Sequence, residues 1–368
     1  MKNSFSIKRS SIFWLTAILL LASAALLYTF LFIDLLDDAE TVGYGFQAIV
    51  QSDTMLFRDI FKNFNIGLYI DANVKNTILP VFMWTWIGGN WYISVIVNIA
   101  FLSGAVFYLR KIVEQLEIKV SNKLMLILFI SPETFVYLIG ILKEIPTLFF
   151  FSATTYFFLK KKWKTFLFFL LLLVLFRYQF VFCITLFAIT YIFFRKNGIK
   201  YLFVIFFFLS ATYPFWINNL QALGQEDAML YREMGAGLGI GGLIQIIQSN
   251  VYGISFFATI VKFFQMMVEP WPALNLYDNN GVNIIALSYA ITAAIWLSIW
   301  VRYFRNVFYA IRNPNVLTNN QNIVLCISFS FLIMVAFNSF VHHRYLYPGM
   351  GLVLLVASYP IEIQKNKI

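Results

Sequence analysis

Charge is what this chain has least of. Asp, Glu, Lys and Arg make up 12% of its 368 residues, only 17 of them are acidic, and 61% of the chain is hydrophobic. An average soluble domain carries about 25% charged and roughly 45–50% apolar residues. A water-solvated globule is thereby excluded: so much apolar surface does not fit inside one, and lipid must solvate the exterior. Cysteine is nearly absent too. Cys183 and Cys326 both lie within apolar runs, which argues against a disulfide framework and against a thiolate metal site. Histidine is confined to His342 and His343, adjacent residues that point apart on a helix, so no His-pair metal site is expected. Ser/Gly-rich linkers and internal repeats are missing, which leaves a single transmembrane domain over residues 1–368.

What is present is a series of apolar runs bounded by basic clusters. The net charge of +10 sits in short groups at run ends and forms no stripe, so nucleic acid is not an expected partner. Lys and Arg collect in cytoplasmic loops, and this rule threads the chain. Lys2, Lys8 and Arg9 hold the N-terminus inside. The run 12–33 is long for a signal peptide and no small-residue cleavage site follows it, so it reads as an uncleaved first span. An outer loop over 34–90 follows, then a span at 91–109 returning to Arg110 and Lys111. Two hairpins come next: 124–130 with 145–159, and 165–176 with 180–194. Spans at 201–217, 282–301, 323–337 and 346–361, with a second outer segment at 218–280, complete the chain. The expected fold is all-α and polytopic, with about ten transmembrane helices and two long outer loops carrying interfacial helices. Both termini are cytoplasmic, and of the 17 acids only Glu114, Glu117 and Glu362 fall inside. The rising arms of both hairpins are short for a span, which favours a water-filled cleft opening outward.

Eight cations do not obey this threading: Arg58, Lys62, Lys75, Lys143, Arg177, Arg232, Lys262 and Arg344. Stranded on the outer side at the rim of apolar spans, they call for an anionic ligand, and a lipid-linked phosphate fits best. Around them stand the candidate chemical groups. Leu56, Phe57, Ile60, Phe61 and Phe64 have helical spacing, so the segment after Asp53 reads as an interfacial helix. Asp53 then serves as its cap or as a general base that takes a proton from a sugar hydroxyl. Lys143 and Glu144 sit beside Pro146 between two apolar runs. Ionisable groups there mark a functional site by default, or a salt bridge from Lys143 to Glu133 or Glu144 merely ties the hairpin. Arg177 ends an apolar run, as a snorkelling cation or a cleft residue. His342, His343 and Arg344 form a short outer turn suited to phosphate. Arg58, Glu144, Arg232, Glu269 and Trp271 are candidate substrate contacts, Trp271 by stacking on a sugar face. Gly237-x-Gly239-x-x-Gly242 has the spacing of a dinucleotide fingerprint, but no strand precedes it, and a hinge or lid is the better reading.

The layout of these residues resembles the GT-C superfamily of membrane glycosyltransferases. The matching features are Asp53 early in a long outer loop, the stretch Leu79-Pro80-Val81-Phe82-Met83-Trp84, the outer charges Lys143, Glu144 and Arg177, and Arg344-Tyr345-Leu346-Tyr347-Pro348 opening the last span. The Pro…Lys-Glu hairpin also looks like bacterial surface-polysaccharide polymerases of the O-antigen and capsule (Wzy) type. Two features depart from these patterns. Thr54 replaces the second acid of a pair, and no Gly stands eleven residues after Arg58 or Arg232, where Tyr69 and Leu243 are found. Repeat-unit polymerase and single-sugar transferase therefore both stay open. The resemblance implies a bacterial inner-membrane enzyme acting on the outer face. Its donor and acceptor would be polyprenyl-(di)phosphate-linked glycans, with membrane lipid and other polysaccharide assembly proteins as candidate partners. Asp53 would be the base, and Lys143, Arg177, His342, His343 and Arg344 would hold the phosphate. No cofactor is implied; a divalent metal is compatible with such a site, but nothing in the sequence indicates one. The reading from a different class is a flippase for the same lipid-linked sugar, which repeat halves or broken helices would favour.

Overall fold

Apolar runs in lipid must satisfy their backbone groups internally, and helix is the one solution open to a single run. A computed structural model of the chain bears this out. It describes residues 2–37, 79, 83, 90–118, 120, 122–139, 142–215, 247–248, 253–268, 277–278, 281–282, 284–337 and 345–359. The helices are α1 (Lys2–Asp37), α2 (Trp91–Leu116), α3 (Asn122–Ile130), α4 (Pro132–Ile139), α5 (Glu144–Leu159), α6 (Trp163–Phe176), α7 (Phe180–Phe194), α8 (Gly198–Ala211), α9 (Ser255–Val268), α10 (Ile284–Arg312), α11 (Asn319–Ala336) and α12 (Met350–Ala357). The one described sheet is a pair of two-residue strands, Tyr277–Asp278 and Gly281–Val282. The chain divides into two compact units, Met1–Tyr178 and Gln179–Ile368.

Large apolar side chains are exposed along several helices. Exposed side chains include Leu19, Leu20 and Phe30 on α1, Leu167, Phe168 and Leu171 on α6, and Ile192, Phe193, Phe207 and Phe208 on α7 and α8. The polar residues are turned inward: Asn98, Thr147, Thr190, Ser210, Asn306, Ser328 and Ser330 are all buried. Among the described residues four helical stretches are long and apolar enough to cross a membrane, or five if α4 and α5 form one bent span. Helix α10 adds a run without charge from Ile284 to Val301; at 1.5 Å per residue this is about 27 Å, enough for the hydrocarbon core.

In the first unit, α2 starts at Asn90, whose side chain accepts the N–H groups of Tyr92 and Ile93 at 2.9 and 3.3 Å, satisfying donors left over at a helix start. Ring contacts fix direction. Phe101 meets Phe149 and Phe150, and Tyr108 meets Tyr156 and Phe157, so α2 and α5 run parallel. Phe169 on Phe157 and Phe176 on Phe150 make α6 antiparallel to α5. Arg110, Lys111 and Lys160 to Lys162 therefore gather at one end, with Trp91, Glu144 and Arg177 toward the other. The first hairpin turns later than its sequence implies. Pro132 starts a new helix, α4, at its first position, where a missing N–H costs nothing, and a bend of 106° separates α4 from α5.

In the second unit, residues 180–211 are nearly continuous helix, yet they fold back. Along α11, Phe331 stacks on Phe180 and Asn322 donates to the carbonyl of Arg195 at 2.9 Å, so α7 runs against it. Phe329 lies by Phe203 and Phe337 by Tyr213, so α8 runs with it. The reversal sits at the turn Arg195–Asn197, where Arg195 takes φ 37°. This is the two-arm reading of the sequence, not one long span. Further bonds tie the same end: Tyr303 to Ser328 at 3.1 Å, Asn306 Nδ2 to the Val356 carbonyl at 2.8 Å, and Tyr359 to the Gln321 carbonyl at 2.8 Å.

The segment 218–280 is not simply an outer loop. Within it, α9 packs on α8 through Ser255, which donates to the Ser210 carbonyl at 2.6 Å, and on α10 through Phe263 beside Trp300. Its apolar face, with Phe257, Val261 and Phe264, is outward, while Ser255, Thr259 and Lys262 face in. Lys262, expected at the outer rim, is fully buried.

Close packing at Gly349 yields a steric prediction. A Cβ added there would fall 2.1 Å from Cε1 of Phe331, a ring that is fully buried and backed by Phe180. Gly349→Ala should cost about 1–3 kcal/mol through overpacking, read as a lower melting temperature in detergent. Gly104→Ala, which meets only the partly exposed ring of Phe149, should cost less.

Candidate functional site

Helix α5 begins with a carboxylate and carries Pro146 in its first turn. The free N–H groups and positive end of the helix dipole favour an anion there, and a proline near the start removes no bond the helix needs. Glu144 is fully buried at this position. Facing it is Arg177 at the end of α6, where the backbone leaves the helix in an extended conformation while its N–H still bonds the Leu173 carbonyl. Arg177 Nη2 donates to Glu144 Oε1 at 2.5 Å, and the side chains are 5% and 0% exposed. This is a buried, charge-assisted bond inside an apolar bundle. The adjoining Lys143 caps α5 and is half-buried, and its carbonyl accepts the Thr147 hydroxyl at 2.6 Å.

The surroundings are polar and ordered. Asn98, fully buried on α2, donates through Nδ2 to the carbonyls of Tyr137 and Leu138 at 3.1 and 3.0 Å. Those carbonyls sit at the end of α4, where intrahelical partners run out. Asn98 thus fixes the segment that leads into Lys143 and Glu144. At the other end of α4, Ser131 bonds the buried carboxylate of Glu133, and Thr134 bonds the Leu128 carbonyl. The Lys143–Glu144–Arg177 centre is thus formed where α5 and α6 meet, while Asn98 of α2 holds the end of α4.

Of the residues singled out in the sequence, the structure brings together Lys143, Glu144 and Arg177. Arg177 is a described partner of Glu144. Asp53, Arg58, Arg232, Glu269, Trp271, His342, His343 and Arg344 lie outside the described residues. Sequence reasoning missed Asn98, although an Asn amid an apolar run is itself a signal. It also missed the setting of Lys262, which donates to Gln248 at 3.3 Å, while Gln248 donates to Thr259 at 2.8 Å.

The class these features define is a helical protein with several apolar helices able to span a membrane, holding a buried ion pair within its first unit. No protein-family model, curated protein or solved structure matches the chain.

Proposed function

We propose that this is a polytopic glycosyltransferase of the bacterial inner membrane, with both termini cytoplasmic, acting on polyprenyl-(di)phosphate-linked glycans at the outer face. Within that class we favour a repeat-unit polymerase of O-antigen or capsule type over a single-sugar transferase. The observation that carries the reading is the buried Glu144–Arg177 pair with half-buried Lys143 beside it, at the end of the first unit opposite its basic cluster. A cation held by a carboxylate in an apolar setting is costly, and gripping a phosphate there gives that cost a purpose.

In the proposed reaction Asp53 takes the proton of an acceptor hydroxyl as that oxygen attacks the anomeric carbon of the donor. The bond from that carbon to the phosphate oxygen breaks, and the (di)phosphate leaves with the electron pair. Lys143, which is partly accessible, neutralises the leaving group, while His342, His343 and Arg344 remain the sequence's further candidates for holding phosphate. Glu144 orients Arg177 and keeps the local charge balanced. Positioned cations in a water-poor site are the largest source of rate for such a step.

Helices α3, α4 and α5, interrupted at Ser131 and again between Ile139 and Glu144, support a second reading, since transporters bind substrates at broken helices. One assay separates the two. The protein is reconstituted in vesicles with a lipid-linked oligosaccharide, and glycan length and sidedness are both followed. Longer glycans are the result expected of a polymerase. Movement of the lipid-linked sugar across the bilayer with no new glycosidic bond would replace the enzyme by a flippase.

A further inference from the structure

The basic end of the second unit has a shape that its charge alone does not explain. Helices α8 and α10 meet there through Phe203 and Phe308, whose rings lie 6.2 Å apart and are both exposed. On α8, Lys200, Phe203 and Phe207 fall at spacings of three and four residues, so they share one face, and all three are exposed. On α10, Val301, Arg305, Phe308 and Arg312 repeat the same spacing and are likewise exposed. Two exposed stripes, each with cations toward the basic end, thus flank the Phe203–Phe308 contact, and Phe207 also lies against Phe256 of α9, with ring centres 4.4 Å apart.

The charge around these stripes is one-sided. From Gln179 onward the described cations at this end are Arg195, Lys196, Lys200, Arg302, Arg305 and Arg312, whereas the only acid among the described residues of the unit is Asp278, in the short strand pair. Arg and Lys side chains on a lipid-facing helix run their methylene stems along apolar surface and place the charge at headgroup level. We propose that this exposed α8–α10 face seats an anionic phospholipid. Its acyl chains lie along Phe203, Phe207 and Val301, and its headgroup phosphate is held by Lys200, Arg305 and Arg312. A zwitterionic lipid fits the apolar part equally but brings a cationic group to a rim that already carries three cations. The inference is independent of the glycosyltransferase reading.

The test uses the full-length protein in detergent, with phosphatidylglycerol or phosphatidylcholine added and retained lipid counted by native mass spectrometry. Retention of phosphatidylglycerol over phosphatidylcholine is expected. A juxtamembrane cation contributes about 1 kcal/mol of attraction to anionic lipid, or about fivefold in affinity. The triple variant Lys200→Gln/Arg305→Gln/Arg312→Gln should therefore lose affinity by roughly a hundredfold. Phe203→Ala/Phe308→Ala, which keeps every charge, should also shorten retention, and it covers the case in which the triple variant does not fold. Inorganic phosphate should not displace the lipid, because it lacks the chains. Equal retention of the two lipids, or a triple variant that keeps phosphatidylglycerol like the parent, overturns the seat. So does an equal loss when Lys160, Lys161 and Lys162 of the first unit are changed to Gln instead, since binding would then be diffuse attraction to any basic end.

Discussion

Changing Glu144 or Arg177 alone to Ala should deplete the protein from membranes, and the double variant should fare better than either single one. Each single change leaves a buried charge facing an apolar bundle without its 2.5 Å partner. Breaking a buried pair from one side costs about 3–5 kcal/mol, a large part of the stability a domain has in hand. Neutralising both sides removes the uncompensated charge, so much of the loss should return. The exchanged pair, Glu144→Arg with Arg177→Glu, separates architecture from chemistry. It retains the bond but places an Arg at the start of α5, against the helix dipole. If the pair only ties α5 to α6, exchange should recover both membrane level and turnover of lipid-linked donor. If it orients Arg177 toward a phosphate, membrane level should recover while turnover does not. Full recovery of turnover would remove this pair from the proposed site.

Asp53→Asn should lower glycan elongation by about 10²–10⁴-fold, the usual contribution of a positioned general base, with the membrane level of the protein unchanged. Asn retains the shape and the capping oxygen of Asp but cannot take a proton at neutral pH. The substitution thus distinguishes the two roles open to this residue. A helix cap is served nearly as well by Asn, so an elongation rate close to the parent's would leave Asp53 as a cap and move the base elsewhere, with Asp59 and Asp71 as the neighbouring candidates. Donor consumption measured apart from elongation refines the result, because a lost base slows attack by the acceptor without weakening the donor's phosphate contacts.

Legibility in the sequence was uneven, for physical reasons. Lys143, Glu144 and Arg177 stood out because a charge within an apolar run is costly wherever the chain folds. Arg177 as the partner of Glu144 did not, since the two are 33 residues apart and Lys143 stood next to Glu144 as a local candidate. The fold-back at Arg195 was legible from Arg195, Lys196 and Lys200 interrupting two apolar runs, and the contacts of α11 with both arms agree. The first hairpin was misplaced at Ser131-Pro132-Glu133 because proline, a helix breaker in an interior, is also at home in a helix's first position. Lys262 was misjudged for a different reason. Its charge suggested a rim, but the inward face of α9 also carries Ser255 and Thr259 while the outward face is apolar.

The sequence by itself determined that this protein is made of apolar helices, several of them able to span a membrane, and which runs end in basic clusters. Both properties are sums over neighbouring residues, and hydrophobic transfer and charge placement act on each run alone. Only the tertiary structure decided that Arg177 bonds Glu144, that Asn98 secures the end of α4, and that Lys262 is enclosed. Inside a bundle, a polar group has to find its partner on another helix, and that choice depends on how distant segments pack.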